Sequence, residues 1–205
     1  MRLRFKSAAM GALAALVLLS PGLAGAQEGR WIEPPEAAPS PKRAERIENL
    51  DFLFGALKVA PDEDSAKSIE QKIWARWLVT RSDTANLLMV RVKSAVDGKD
   101  LDLAVRLLDA IIAIKPDYTE AWNRRATIYY QKKDYTRSLA DLRQVLAREP
   151  RHFGAIMGVG LIMQDLGEDQ RALDMYRRVI EIYPRLPRVP DLIKTLSQKV
   201  DGRDI

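Results

Sequence analysis

The 205-residue chain has no cysteine and a single histidine, His152. Without thiols it can form no disulfide, no cysteine nucleophile, no thiolate zinc site and no iron–sulfur cluster. The same absence argues against a bacterial lipoprotein anchor, whose lipid is carried on cysteine. Glycine and proline are modest at 11 each, which fits neither a collagen-like nor a wholly disordered chain. Phosphate-loop, Gly-x-Ser-x-Gly, His-Glu-x-x-His and dinucleotide-binding motifs are all lacking. Little in this inventory suggests catalysis, and no cofactor is expected.

What is present begins with a targeting pattern. Arg2, Arg4 and Lys6 precede Ala8–Leu19, twelve uncharged and mostly apolar residues, followed by Ser20-Pro21-Gly22 and the small-residue site Ala24-Gly25-Ala26. This is the tripartite form of a secretory signal, so residues 1–26 are expected to be cleaved. A spanning helix needs about 20 apolar residues, and this stretch is shorter. Without its three basic residues the chain falls from a net charge of +5 to +2. The basic balance therefore belongs largely to targeting, and no nucleic-acid partner is expected. In a Gram-negative cell the residence would be the periplasm, with no stable membrane anchor after cleavage.

Residues 27–41 hold Pro34, Pro35, Pro39 and Pro41. Four prolines in eight residues remove backbone donors and favour an extended, solvated spacer. Trp31 and Ile32 are its only large apolar residues and give it an alternative use as a docking segment.

Beyond Lys42 apolar residues recur at helical spacing, and no paired strand-like runs flank a hairpin turn. The fold class is all-α. Prolines fall at Pro116, Pro150 and Pro184, each 34 residues after the last. Ala104, Ser138 and Ala172 keep that interval, as do Leu108, Leu142 and Tyr176, and Ile111, Val145 and Val179. A fixed period of this length means stacked helix-turn-helix units, none able to bury its apolar stripe alone. In the middle copy the spacing predicts helices over about 119–132 and 135–148, with Thr119 as N-cap and Lys133-Asp134 in the turn. Trp122, Arg125, Ala126 and Tyr129 share one face of the first helix. Ala126 and Ser138 fall where two helices must approach closely.

The segment Ala121-Trp122…Ala126…Tyr129-Tyr130…Asp134-Tyr135…Ser138…Leu142…Val145…Pro150 closely resembles the tetratricopeptide repeat. The resemblance implies an α-solenoid with three in-phase repeats, 85–118, 119–152 and 153–186. The first departs from the pattern at Leu88 and Val92, the third at Ile156. Residues 42–84 look like a degenerate N-terminal repeat or cap, with a longer second helix carrying Trp74 and Trp77. Residues 187–205 are expected to form a C-terminal capping helix and tail.

In that family the first helices of the repeats line a concave groove that binds peptides. The corresponding residues here are Asn86, Met89, Val90 and Lys93, then Asn123, Arg124, Thr127, Tyr130 and Gln131, then Met157, Gly158, Leu161, Gln164 and Asp165. Such a mixed surface, cationic in the middle and flanked by soft methionines, suits an extended or helical protein segment. The family's carboxylate clamp is not supported, because only the middle repeat offers Asn123 and Arg124 and the third has no basic groove residue. Repeat 119–152 carries net +4, against 0 before it and −1 after it, a charge that would steer an acidic partner.

The other chemistry-bearing residues read as structural. His152 is expected to be exposed in the turn between repeats. Asp62-Glu63-Asp64 stands at a helix start, where acidic groups complement the helix dipole. Gly158 and Gly160 are expected to allow close helix packing. Trp122, Tyr129 and Tyr176 are expected in the core. The expected function is thus a non-enzymatic scaffold or adaptor of the cell envelope, serving its integrity or assembly. Binding of peptidoglycan or another glycan is the alternative, and it would call for a row of exposed aromatics where only Tyr130 stands. Self-association through an end cap is a further expectation.

Overall fold

The computed structural model describes residues 43–202. The expected signal 1–26, the linker 27–41 with Trp31 and Ile32, and the final residues 203–205 lie outside the described residues. Among the described residues there are nine helices and no strand. They are α1 (Arg43–Lys58), α2 (Glu63–Trp77), α3 (Asp83–Asp97), α4 (Leu101–Ile114), α5 (Thr119–Gln131), α6 (Tyr135–Arg148), α7 (Phe153–Asp165), α8 (Asp169–Ile182) and α9 (Val189–Asp201).

Helices α3 to α8 form three antiparallel hairpins in the expected phase. Each tight turn holds one left-handed residue, Lys99 (φ 61°), Lys133 (φ 58°) and Gly167 (φ 78°), again 34 apart. Asp100 and Asp134 then cap α4 and α6 by accepting the Leu103 and Arg137 amides at 2.9 and 3.1 Å. Ser138 Oγ donates to the Ala126 carbonyl at 2.8 Å, so the small pair does mark the helix crossing. Gly160 is needed for packing: a Cβ there would lie 2.5 Å from the fully buried Tyr176 ring. The expected cap at Thr119 is corrected. Tyr118 occupies the N-cap position without a side-chain capping bond, and Thr119 is the first helical residue.

At the C-terminal end α9 lies on α8, burying Val189 and Leu196 and pairing Lys199 with Asp169 at 2.9 Å. At the other end the arrangement differs from a stacked cap. Helices α3 and α4, α5 and α6, and α7 and α8 pack in succession, whereas α2 has at most slight contact with α3. Nor is α2 lengthened by a turn, having 15 residues against 14 in α4 and α6.

Instead α1 and α2 lie along the edge formed by the three proline corners. The Tyr118 hydroxyl donates to the Leu78 carbonyl at 3.2 Å at the first corner. Arg151 pairs with Asp51 at the second, its guanidinium 4.3 Å above the Phe54 ring. At the third, Tyr183 donates to Glu70 and Arg185 to the Ala60 carbonyl, both at 3.2 Å. Leu53, Phe54, Leu57, Ile73 and Trp77 join Phe153, Ile156, Tyr176 and Tyr183 in one core. Each such side chain contributes about 1.5–3 kcal/mol by leaving water, which accounts for the pair's position.

Candidate functional site

The docking of α2 rests on the corner before α7. Trp77 stacks flat on His152, with ring centroids 4.1 Å apart and planes within 7°. Trp74 meets His152 and Phe153 edge-on at 5.5 and 5.7 Å. Gly154 leaves room for it, since a Cβ there would come within 3.2 Å of the Trp74 ring.

His152 is therefore not the exposed turn residue expected from its position. It is fully buried. Its Nδ1 accepts the Ala155 amide at 3.0 Å and so caps α7. That acceptor role puts the proton on Nε2, which lies 2.7 Å from the buried Glu120 carboxylate and donates to it. The second Glu120 oxygen accepts from Asn123 Nδ2 at 3.3 Å. Sequence reasoning missed Glu120. A signal was available for His152: it stands one period after Tyr118, whose side chain also turns inward.

Alongside this cluster runs a cleft of about 360 Å³ between α3 and α5, with Trp74 of α2 at its border. Lys93, Asn123, Arg124, Thr127 and Gln131, all expected in the groove, line it together with Val92, Val96, Asp97, Glu120 and Ile128. Thr127 Oγ1 donates to the Asn123 carbonyl at 3.0 Å, and Lys93 pairs with Asp97 at 2.6 Å. Arg124 is different. Its Nε is buried without a hydrogen-bond partner, and no carboxylate among the described residues pairs with its guanidinium. The nearest acid in its own helix, Glu120, is already held by His152 and Asn123.

The other expected groove residues are not brought to this cleft. Asn86 donates to the Thr80 carbonyl at 3.5 Å, and Met89 packs on the α3–α4 core. Tyr130 lies against Tyr135, with ring centroids 5.9 Å apart. Met157 packs on the core that α1 and α2 share with α7 and α8. Gln164 accepts the Tyr176 hydroxyl at 2.8 Å, and Leu161 is half-buried outside the cleft. Val90 is exposed beyond it. Five of the expected groove residues thus share one cleft, and the others do not line it.

The expected core aromatics divide. Tyr129 and Tyr176 are buried, whereas Trp122 is half-buried and donates to the Pro116 carbonyl at 3.0 Å. Arg125 lies beneath it as an ionic link between repeats. It makes two bonds to Asp141 at 2.7 and 2.8 Å and one to Asp109 of the preceding repeat at 2.6 Å. These bonds to two carboxylates hold its guanidinium charged, against the opposing effect of burial. Asp62 does cap α2, accepting the Ser65 amide at 2.7 Å, which draws its carboxyl below the usual range.

The tetratricopeptide repeat family models match residues 119–152 and 155–185. A TPR repeat-containing protein of Rhizobium etli is 39% identical over 203 residues, 98% of this chain and 97% of its own length. The chain belongs to the tetratricopeptide repeat family. Structures of tetratricopeptide repeat proteins share the fold. The first TPR domain of Spaghetti (RPAP3), bound to the HSP90 peptide SRMEEVD, superposes with a TM-score of 0.55 at 18% identity, covering 60% of this chain and 98% of that one. MamA superposes with 0.53 at 17% identity over 78% of this chain and 86% of that one. Among the described residues no helix is long and apolar enough to cross a membrane, and no cluster of acids or histidine could hold a metal ion.

Proposed function

We propose that this tetratricopeptide repeat protein is a non-enzymatic scaffold that holds an extended, acidic protein segment in the cleft between α3 and α5. The observation that carries this reading is Arg124, a cation at the cleft without a carboxylate partner among the described residues. A buried donor left unpaired costs about 1–3 kcal/mol, which an incoming carboxylate would recover. Asn123, Thr127 and Gln131 add polar groups that can bond a peptide backbone, and Val92, Val96 and Ile128 add apolar contact. The +4 charge of repeat 119–152 supports the same choice of partner. A related fold holds a peptide with the sequence SRMEEVD, three of whose last four residues are acidic. The signal-like residues 1–26 support export to the periplasm and a role in envelope integrity or assembly.

The glycan reading draws on Trp74, the one aromatic ring bordering the cleft. One ring is not the row that stacking on a polysaccharide requires.

Panning the purified protein against a random peptide library tests the proposal. Enrichment of Asp- and Glu-containing peptides, lost about tenfold or more with Arg124→Glu at an unchanged melting temperature, is the expected outcome. Enrichment without acidic preference, or binding indifferent to Arg124→Glu, would refute it.

A further inference from the structure

The displacement of α1 and α2 to the loop edge leaves one end of the repeat stack open. Positions that are buried between repeats elsewhere are bare on α3. Ala121 and Ala155 are fully buried, but Leu87, in the same phase, is 65% exposed. Ile128 and Ile162 are buried, whereas their counterpart Ser94 is exposed. Arg125 reaches back to Asp109 of the preceding repeat. Arg91, one period earlier, is exposed and has no ion-pair partner among the described residues.

From this pattern we infer that the open α3 face pairs with the same face of a second copy of this chain, making an isologous dimer. Asp83, Leu87 and Arg91 are spaced by four residues and lie on one stripe of α3. Leu87 is central, with an acid one turn before it and a base one turn after. Within one helix Asp83 and Arg91 are about 12 Å apart and cannot pair. Two antiparallel copies of α3 related by a two-fold axis at Leu87 place each Asp83 opposite the other copy's Arg91. The contact is self-complementary in charge. The second copy's Asp83 then does for Arg91 what Asp109 does for Arg125.

The surroundings favour this occupant. A shallow groove of about 320 Å³ beside the stripe is lined by Ala95, Leu103 and Leu107, and the preceding loop exposes Val79. The opposite end of the stack is covered by α9, so head-to-tail growth is blocked and association stops at two.

Sedimentation equilibrium of the purified protein tests the inference, with a charge exchange as its discriminating arm. The unaltered protein is expected to dimerise below about 100 μM. Leu87→Asp, Asp83→Arg and Arg91→Asp are each expected to weaken the dimer about tenfold or more, and the Asp83→Arg/Arg91→Asp pair to restore it to within about threefold. All three sites are exposed, so the monomers' melting temperatures should change by a few degrees at most, the largest drop coming from Asp83→Arg, which reverses a charge in the first turn of α3. A monomer throughout, including one in which Leu87 is shielded by the chain's own residues 27–41, would overturn the inference. So would a dimer indifferent to these changes, or single charge variants that weaken it without rescue by the exchange.

Discussion

The ring of His152 lies 4.1 Å from that of Trp77 and parallel to it, joining the corner before α7 to the last turn of α2. Fixed on its other sides by the Ala155 amide and Glu120, the imidazole is a platform on which the N-terminal helix pair docks.

Truncation of that platform's partner should release the pair. Trp77→Ala is expected to cost about 3–5 kcal/mol in urea unfolding, as for other buried large aromatics. It should also speed tryptic cleavage after the exposed Arg81, between α2 and α3. Unchanged stability together with unchanged proteolysis would mean that α1 and α2 are held by other contacts.

Removing Arg125 should loosen the join between the first two repeats. Arg125→Ala leaves the buried Asp141 carboxylate without its two bonds, so a loss of about 2–4 kcal/mol is expected. Asp141→Ala should cost less in the Arg125→Ala background than alone, and a double-mutant cycle measures the coupling. Additive losses would show that the pair is not energetically joined.

Lys133→Gly should stabilise the protein. The lysine holds φ at 58°, where a side chain costs about 1–2 kcal/mol, while its counterpart in the next repeat is already Gly167. After the greater unfolded-state freedom of glycine is subtracted, a net gain of about 0.5–1 kcal/mol is expected by thermal melting. A lower melting temperature would place a stabilising role on the lysine side chain.

Alkaline pH should unfold the chain through its buried tyrosines. Burial, with the nearby acids, pushes Tyr176 and Tyr183 up to about 12, against an ordinary value of 10. Their folded forms keep the proton that the unfolded forms give up. Their stabilisation is therefore intact below pH 10 and lost as pH rises from 10 to 12. Melting temperature followed between pH 9 and 12 should fall steeply, and less steeply in Tyr183→Phe. An equal slope in that variant would exclude Tyr183 from the effect.

The repeat was legible in the sequence because it is written in one-dimensional spacing. Pro116, Pro150 and Pro184, the small residues at helix crossings and the turn at Lys133 all follow from contacts within a unit and its next neighbour. The placement of α1 and α2 was not legible, because Trp74 and Trp77 meet residues nearly eighty positions away and outside the period. That one long-range contact also explains the misreading of His152, whose turn position says surface until an indole covers it. For the cleft, phase identified Lys93, Asn123, Arg124, Thr127 and Gln131. Phase could not show that Met157 and Gln164 are committed to packing and to Tyr176.

A photo-crosslinker at Thr127, compared with one at Arg143 on α6 outside the cleft, tests the cleft most directly when the protein is expressed in its own cell. One dominant protein adduct is expected from position 127, absent from position 143 and lost when Arg124→Glu is added. The same adducts from both positions, or a cleft adduct that survives Arg124→Glu, would contradict it.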